Sequence, residues 1–262
     1  MSLMLHCGAH KATMHEVSSV QISDKVSDTY VPIPHHQLIH TTLDILDDLG
    51  YETIESSHAL MKKGQRYFGF FKLKETALDT PKDYDYVLGL RNGHDGQMPA
   101  SGVFGHSVFV CDNLCFSGDM MKFSRKHTRN IMRDISGVIC NKMAQLKDFI
   151  TNTDHRIQHY KENHVIDSVQ LNDILITAMR HKAVNPTALP YVLNEWEKAQ
   201  SGEGPGGHES LAGHSYWTLL NCFTEVDKRS PSPVQQPLRT RRLTNLLDAC
   251  TQFKSANEFI ED

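Results

Sequence analysis

The run from Tyr84 to Arg129 constrains this chain most, because it joins period-two hydrophobicity to most of the unusual polar residues. Tyr84, Tyr86, Leu88 and Leu90 alternate on one face, as a half-buried strand requires. That strand runs out at Arg91-Asn92-Gly93-His94-Asp95-Gly96, whose Asn-Gly and Asp-Gly steps accept the positive φ of tight turns. Residues 104–111 and 114–116 read as two more strands around Asp112-Asn113, the residue types that best tolerate a left-handed turn. Polar side chains thus gather at strand ends, and the imidazole of His94 is expected to project from the sheet's rim.

The flanking sequence supplies partners for such a sheet. Leu38, Ile39, Thr42, Ile45, Leu46 and Leu49 recur at three- and four-residue steps between Pro34 and Gly50, which predicts a covering helix closed by a glycine cap. Residues 51–61 and 66–73 predict two strands around Lys62-Lys63-Gly64-Gln65, whereas residues 1–30 are polar and read as irregular. After Arg129 the period lengthens. Ile131, Ile135, Ile139, Met143, Leu146, Ile150, Ile157 and Tyr160 form one stripe of a long helix, with breaks expected near Gly137 or Asn152. Asp167 and Gln170 resemble a capping box for a second helix, and residues 191–196, 216–226 and 238–253 predict three more. The glycine-rich residues 201–207 read as a mobile loop. The expected fold class is α+β: an N-terminal antiparallel sheet with one covering helix over residues 1–129, then a mostly α-helical half over 130–262, packed on it as one compact unit.

Composition narrows the functional classes. The 262 residues are 39% hydrophobic, enough for a real core, and contain no apolar run long enough to span a bilayer. No signal-peptide pattern opens the chain, so a cytoplasmic protein without a membrane partner is expected. The six cysteines are scattered without a C-x-x-C pair, which argues for reduced thiols. In a two-residue hairpin Cys111 and Cys115 would point to opposite faces, and so could not share one metal. The net charge of −4 conceals a basic stretch from Met121 to Lys147, with seven bases against the single acid Asp134. Local charge within about 10 Å sets the potential a phosphate meets, so an acidic protein can still present a basic edge.

Two sets of residues carry candidate chemistry. His94, Asp95, Asp112 and His127 are candidates for acid/base work, and His94, His106 and Asp112 for divalent-metal ligation, the only cofactor that residue types here admit. No fixed ligand spacing accompanies them, and the expected cofactor is none. Arg91, Asn92, Lys122, Arg125, Lys126 and Arg129, beside Phe116 and Phe123, have the composition of a nucleic-acid groove, with cations for phosphate and rings for base stacking. There is no P-loop, dinucleotide fingerprint or nucleophile elbow.

GLRNGHDG, VFVCDNLCFSG, RKHT and NCFTEVDK resemble the signature segments of the phage- and plasmid-associated proteins grouped as domain of unknown function 932. In that family pattern serine usually stands at the position of Gly93, and alanine at those of Cys115 and Cys222, which implies no thiol role for either cysteine. The resemblance implies a setting near DNA maintenance, recombination or defence on a mobile element. Taken with the basic stretch, the expected function is nucleic-acid binding, with single-stranded DNA favoured and homo-oligomers compatible. The alternatives are a metal-dependent phosphodiesterase or nuclease, and a module that engages host proteins.

Overall fold

The structure is a computed structural model, and it describes residues 9–22, 29–75, 84–108, 113–115, 121–229 and 235–254. In chain order the elements are β1 (His10–Ala12), α1 (Met14–Ser18), α2 (His35–Asp48), β2 (Tyr51–Met61), β3 (Arg66–Glu75), β4 (Tyr84–Gly93), β5 (Ala100–Val108), β6 (Asn113–Cys115) and β7 (Lys122–Arg125). Helices follow: α3 (Ile131–Met143), α4 (Leu146–Glu162), α5 (Ser168–Arg180), α6 (Leu189–Gln200), α7 (Tyr216–Asp227) and α8 (Gln236–Thr251). An antiparallel sheet in the N-terminal half followed by helices makes this an α+β protein. No helix among the described residues is long and apolar enough to cross a membrane.

The chain divides into two compact units, one of 1–106 with 121–147, the other of 107–120 with 148–262. The first unit therefore runs past residue 129 and takes in α3. Its strands lie in the order β1-β2-β3-β4-β5, with β7 paired to β5. β1 pairs with β2 across the two helices between them, whereas β2 and β3 are joined directly by a tight turn. At the β2–β3 turn Lys62, Lys63 and Gly64 all take positive φ, the left-handed backbone that reverses the chain at once. The turn costs strain at two lysines, and through it Gly64 and Gln65 present carbonyls to buried side chains and backbone, as described below.

On β3 the side chains of Tyr67, Phe71 and Leu73 share one face and are fully buried. The ring of Tyr67 lies back across Gly69, where an added Cβ would meet its hydroxyl at 1.9 Å, and that hydroxyl bonds His58 Nδ1 at 2.9 Å. Helix α2 buries Leu38, Ile39 and Leu46, and Gly50 follows it at φ 82°, the left-handed stop the sequence predicts. The N-terminal residues are less irregular than expected. A capping box between Thr13 and Glu16 is enough to hold the short α1.

The stripe from Ile131 to Tyr160 does not form one helix. It breaks at Ala144 and Gln145, neither at Gly137 nor at Asn152, and the break falls where one unit gives way to the other. An uninterrupted helix of that length would run about 45 Å. In the second unit the predicted cap is present, Asp167 Oδ1 accepting from Gln170 N at 2.8 Å while Ile166 N donates to Gln170 Oε1 at 2.7 Å. The run 201–207, read in the sequence as a mobile loop, contains a short 3₁₀ turn at Pro205–Gly207. Gly204 has φ 72° and leaves no room for a Cβ beside the His208 carbonyl, while Gly206 N donates to the buried Glu195 Oε2 at 2.8 Å.

Gly69→Ala is expected to destabilise the protein by about 1–3 kcal/mol, because the methyl must displace a fully buried tyrosine. Urea unfolding checks this, and an unchanged midpoint would mean that the Tyr67 ring does not lie across Gly69.

Candidate nucleic-acid interface and the histidine cluster beneath it

The segment before α2 reads Pro32-Ile33-Pro34. Two prolines hold Ile33 extended and contribute no N–H of their own, so the peptide groups of Ile33 enter the core without strand partners. Side chains satisfy them instead. The Ile33 carbonyl accepts from Asn92 Nδ2 at 2.8 Å and from His94 Nε2 at 2.9 Å, and Ile33 N donates to His127 Nδ1 at 3.3 Å. Asn92 Nδ2 also donates to His35 Nδ1 at 2.9 Å, and His35 Nε2 donates to the Gly64 carbonyl at 2.9 Å. Backbone continues the pattern, as His94 N donates to the Gln65 carbonyl at 2.7 Å. The relative exposures are 1% for His35, 0% for Asn92, 5% for His94 and 6% for His127.

These bonds assign the tautomers. His35 and His94 must each carry their proton on Nε2 and His127 on Nε2 as well, since its Nδ1 accepts. The His35 and His127 rings are thus neutral, and packing opposes protonation of all three. His35 and His94 stack with centroids 3.8 Å apart and planes 6° from parallel. Burial, then the neighbouring His94, pushes His35 down to about 3; burial, with His94 again, pushes His127 down to about 4; and burial lowers His94. Two buried acceptors in the cluster, Asn92 Oδ1 and His94 Nδ1, have no hydrogen-bond partner among the described residues.

The placement of the remaining candidates follows. His94 is sequestered, not projecting from the rim as expected. Asp95 is part of an ion-pair network, with Arg66 Nε at 2.7 Å and Lys62 Nζ at 3.4 Å; against the burial that would raise it, the Arg66 and Gln97 hydrogen bonds hold its carboxyl below the usual range. Arg91 is half-buried and donates Nε to Ser101 Oγ at 2.7 Å. Phe123 is 2% exposed, its ring over Gly102, so it cannot stack on a base. Asn92 is wholly interior, which removes it too from a surface groove. His106 is buried with its ring against Tyr84 at 5.8 Å. Asp112 and Phe116 lie outside the described residues, as does Cys111, while Asn113 of the predicted turn is placed in strand β6. Among the described residues no group of three or more His, Cys, Asp or Glu could hold a metal ion.

The cations behave differently. Along β7 and its exit the side chains alternate: Phe123 and His127 are buried, while Lys122, Ser124 and Lys126 are exposed. Arg125 is half-buried and pairs with Asp134 at 2.6 Å; Arg133 reaches the same acid at 3.0 Å. Lys122, Lys126 and the exposed Arg129 form no ion pair among the described residues. His127 is the link between the two features. Its ring holds Ile33 N, and its carbonyl accepts from Val31 N at 3.4 Å, so the loop carrying Lys126 and Arg129 is tied to the polar cluster.

Sequence reasoning missed His35, Ile33, Gly64 and Tyr30. The Tyr30 hydroxyl donates to the Gly93 carbonyl at 3.3 Å and accepts from Gly96 N at 3.0 Å, clamping the turn after β4. The available signal was the Pro-Ile-Pro spacing, which leaves one peptide in need of side-chain partners.

Fold and site together define an α+β protein whose sheet ends in a buried, uncharged polar cluster and carries an exposed basic edge. Residues 23–250 match the model of a domain of unknown function, DUF932, and the chain belongs to that family. No curated protein and no solved structure matches it significantly.

The cluster should make stability pH-dependent. The folded pKa values of His35 and His127 lie below the unfolded value of about 6.5, so the unfolded chain binds more protons in between, and stability falls as pH drops through that window. Each ring is expected to remove about 2 kcal/mol by pH ~5, measured as urea unfolding free energy. His127→Gln should flatten that dependence; a slope unchanged in this variant would contradict a neutral buried ring.

Proposed function

We propose that this chain binds nucleic acid, single-stranded DNA in preference, through the edge formed by β7 and the loop before α3. The observation that carries the reading is the row Lys122, Ser124 and Lys126, continued by Arg129, exposed on a strand edge and without acid partners among the described residues. A cation uncompensated within the protein is available to phosphate, and neutralising phosphates supplies most of the affinity of sequence-independent binding. A row along an extended strand suits an extended polyanion. Since Phe123 is in the core, backbone contact rather than base stacking by that ring supports the reading. The tether through His127 supports it further, because a pre-positioned loop loses less entropy on binding. Work of this kind in the cytoplasm, in the maintenance or recombination of phage or plasmid DNA, is the setting the reading entails.

Replacing Lys122, Lys126 and Arg129 together with glutamine should weaken binding to a labelled single strand and reduce its salt dependence by roughly 0.7 log units per lost contact, about two in all. Fluorescence anisotropy from ~50 mM salt upward measures both. Wild-type affinity in the triple variant, or no binding by the wild type, overturns the reading.

A further inference from the structure

The second unit carries a group of cations of its own. Helix α5 ends in Arg180-His181-Lys182, and α8 has Arg239, Arg241 and Arg242 in its first two turns. Arg242 Nη1 donates to the Lys182 carbonyl at 3.2 Å, which ties the two segments together. Arg180, Lys182, Arg241 and Arg242 are all exposed, and none forms an ion pair among the described residues. Two acids of this unit are already taken, Asp227 by Arg239 at 2.7 Å and Asp248 by Arg156 at 3.1 Å. Asp173 shares the Arg180 face of α5 but stands about 10 Å back along the axis. Residues 230–235, which lead into α8, contain no acid.

Local stability accounts for none of these placements. Lys182 N donates to the Met179 carbonyl at 2.9 Å and Ala183 N to the Ala178 carbonyl at 2.8 Å, the paired bonds that close a helix through a left-handed residue. Lys182 is that residue, at φ 59°, where glycine is favoured and a lysine is strained. Cations at the start of α8 meet the positive end of the helix dipole, and no first-turn residue is acidic to offset it. The Arg242 bond then draws one cation toward another instead of spreading them. Local rules broken together on one surface point to a use for that surface.

We propose that Arg180, Lys182, Arg241 and Arg242 form a second phosphate-contact surface, through which the chain holds a further stretch of nucleic acid. A single small anion would need donors converging in a pocket, whereas an open group of exposed cations fits successive phosphates of a strand. Guanidinium groups add paired donors matched to phosphate oxygens. The choice of nucleic acid as ligand rests on the reading given for the β7 edge; the surface itself uses none of Lys122, Lys126 and Arg129.

The test is the number of ~8-nucleotide single strands bound per full chain, counted by stoichiometric fluorescence titration at low salt. The wild type is expected to hold two. Replacing Arg180, Lys182 and Arg241 together with glutamine should leave one, and so should replacing Lys122, Lys126 and Arg129. Arg242 is kept in both, so its bond to the Lys182 carbonyl persists. Glutamine at the exposed Lys11, Lys147 and Lys254 removes equal charge and should leave two. Loss of a strand in that last variant overturns the proposal, because binding would then follow net charge alone. A single strand per wild-type chain that only the Lys122 set removes overturns it too, and leaves the edge reading intact. A single strand that only the Arg180 set removes supports the surface and overturns the edge reading. Should the Arg180 set fail to fold, Lys182→Gly decides: it should raise the melting temperature by relieving the positive φ, yet lower the salt dependence by about 0.7 log units. An unchanged salt dependence in that variant overturns the proposal.

Discussion

One peptide unit, Ile33 between two prolines, is the constraint to which much of the first unit answers. A buried carbonyl or N–H left unpaired costs about 1–3 kcal/mol, and here neither group has a strand to pair with. The solution brings Asn92 and His94 from the end of β4 and His127 from beyond β7 onto the same residue. The β2–β3 turn then offers Gly64 to His35 and Gln65 to the His94 backbone. Three distant parts of the chain are registered against each other by hydrogen bonds whose donors and acceptors are all specified. The basic loop inherits its position from that registration.

The two units bury polarity by opposite means. In the first, charge is removed: stacked imidazoles 3.8 Å apart would repel if protonated, and burial keeps them neutral. In the second, charge is kept and matched. Arg156, 4% exposed, meets both carboxylate oxygens of Asp248 at 3.1 Å, with the Tyr160 hydroxyl donating to the same acid. Neutral clusters are sensitive to acid through the rings themselves, whereas a matched pair is sensitive to the loss of either partner.

Periodicity exposed most of the fold before any coordinates. The alternation at Tyr84, Tyr86, Leu88 and Leu90 and the steps from Leu38 to Leu46 are consequences of one-sided burial, and one-sided burial is what the structure shows. The helix break at Ala144 escaped notice because the stripe continues in phase across it, from Met143 to Leu146. The bond that anchors the turn at 201–207 was not legible, because it is made to Glu195, a buried acid no local pattern announces. For the candidate site the polar residues were visible and their depth was not. Asn92 and His94 have turn-like neighbours, so nothing local distinguishes a solvent-facing imidazole from one committed to a carbonyl about sixty residues earlier. The basic residues were legible as a charge run, while the strand that sets Lys122 and Ser124 on one side was not.

The first unit is discontinuous in sequence: its chain departs after His106 and resumes at Met121. During synthesis, therefore, the sheet cannot be completed in step with elongation. Strands β1 to β4 can pair as they emerge, but β7 must close on β5 and His127 must reach Ile33, and both wait until an intervening stretch assigned to the other unit has left the ribosome. Until then the Ile33 N–H lacks its acceptor. Each unit depends on the other's chain segment for its own continuity, so a cut placed at any single peptide bond between residues 106 and 148 cannot release both units with their full complement of residues.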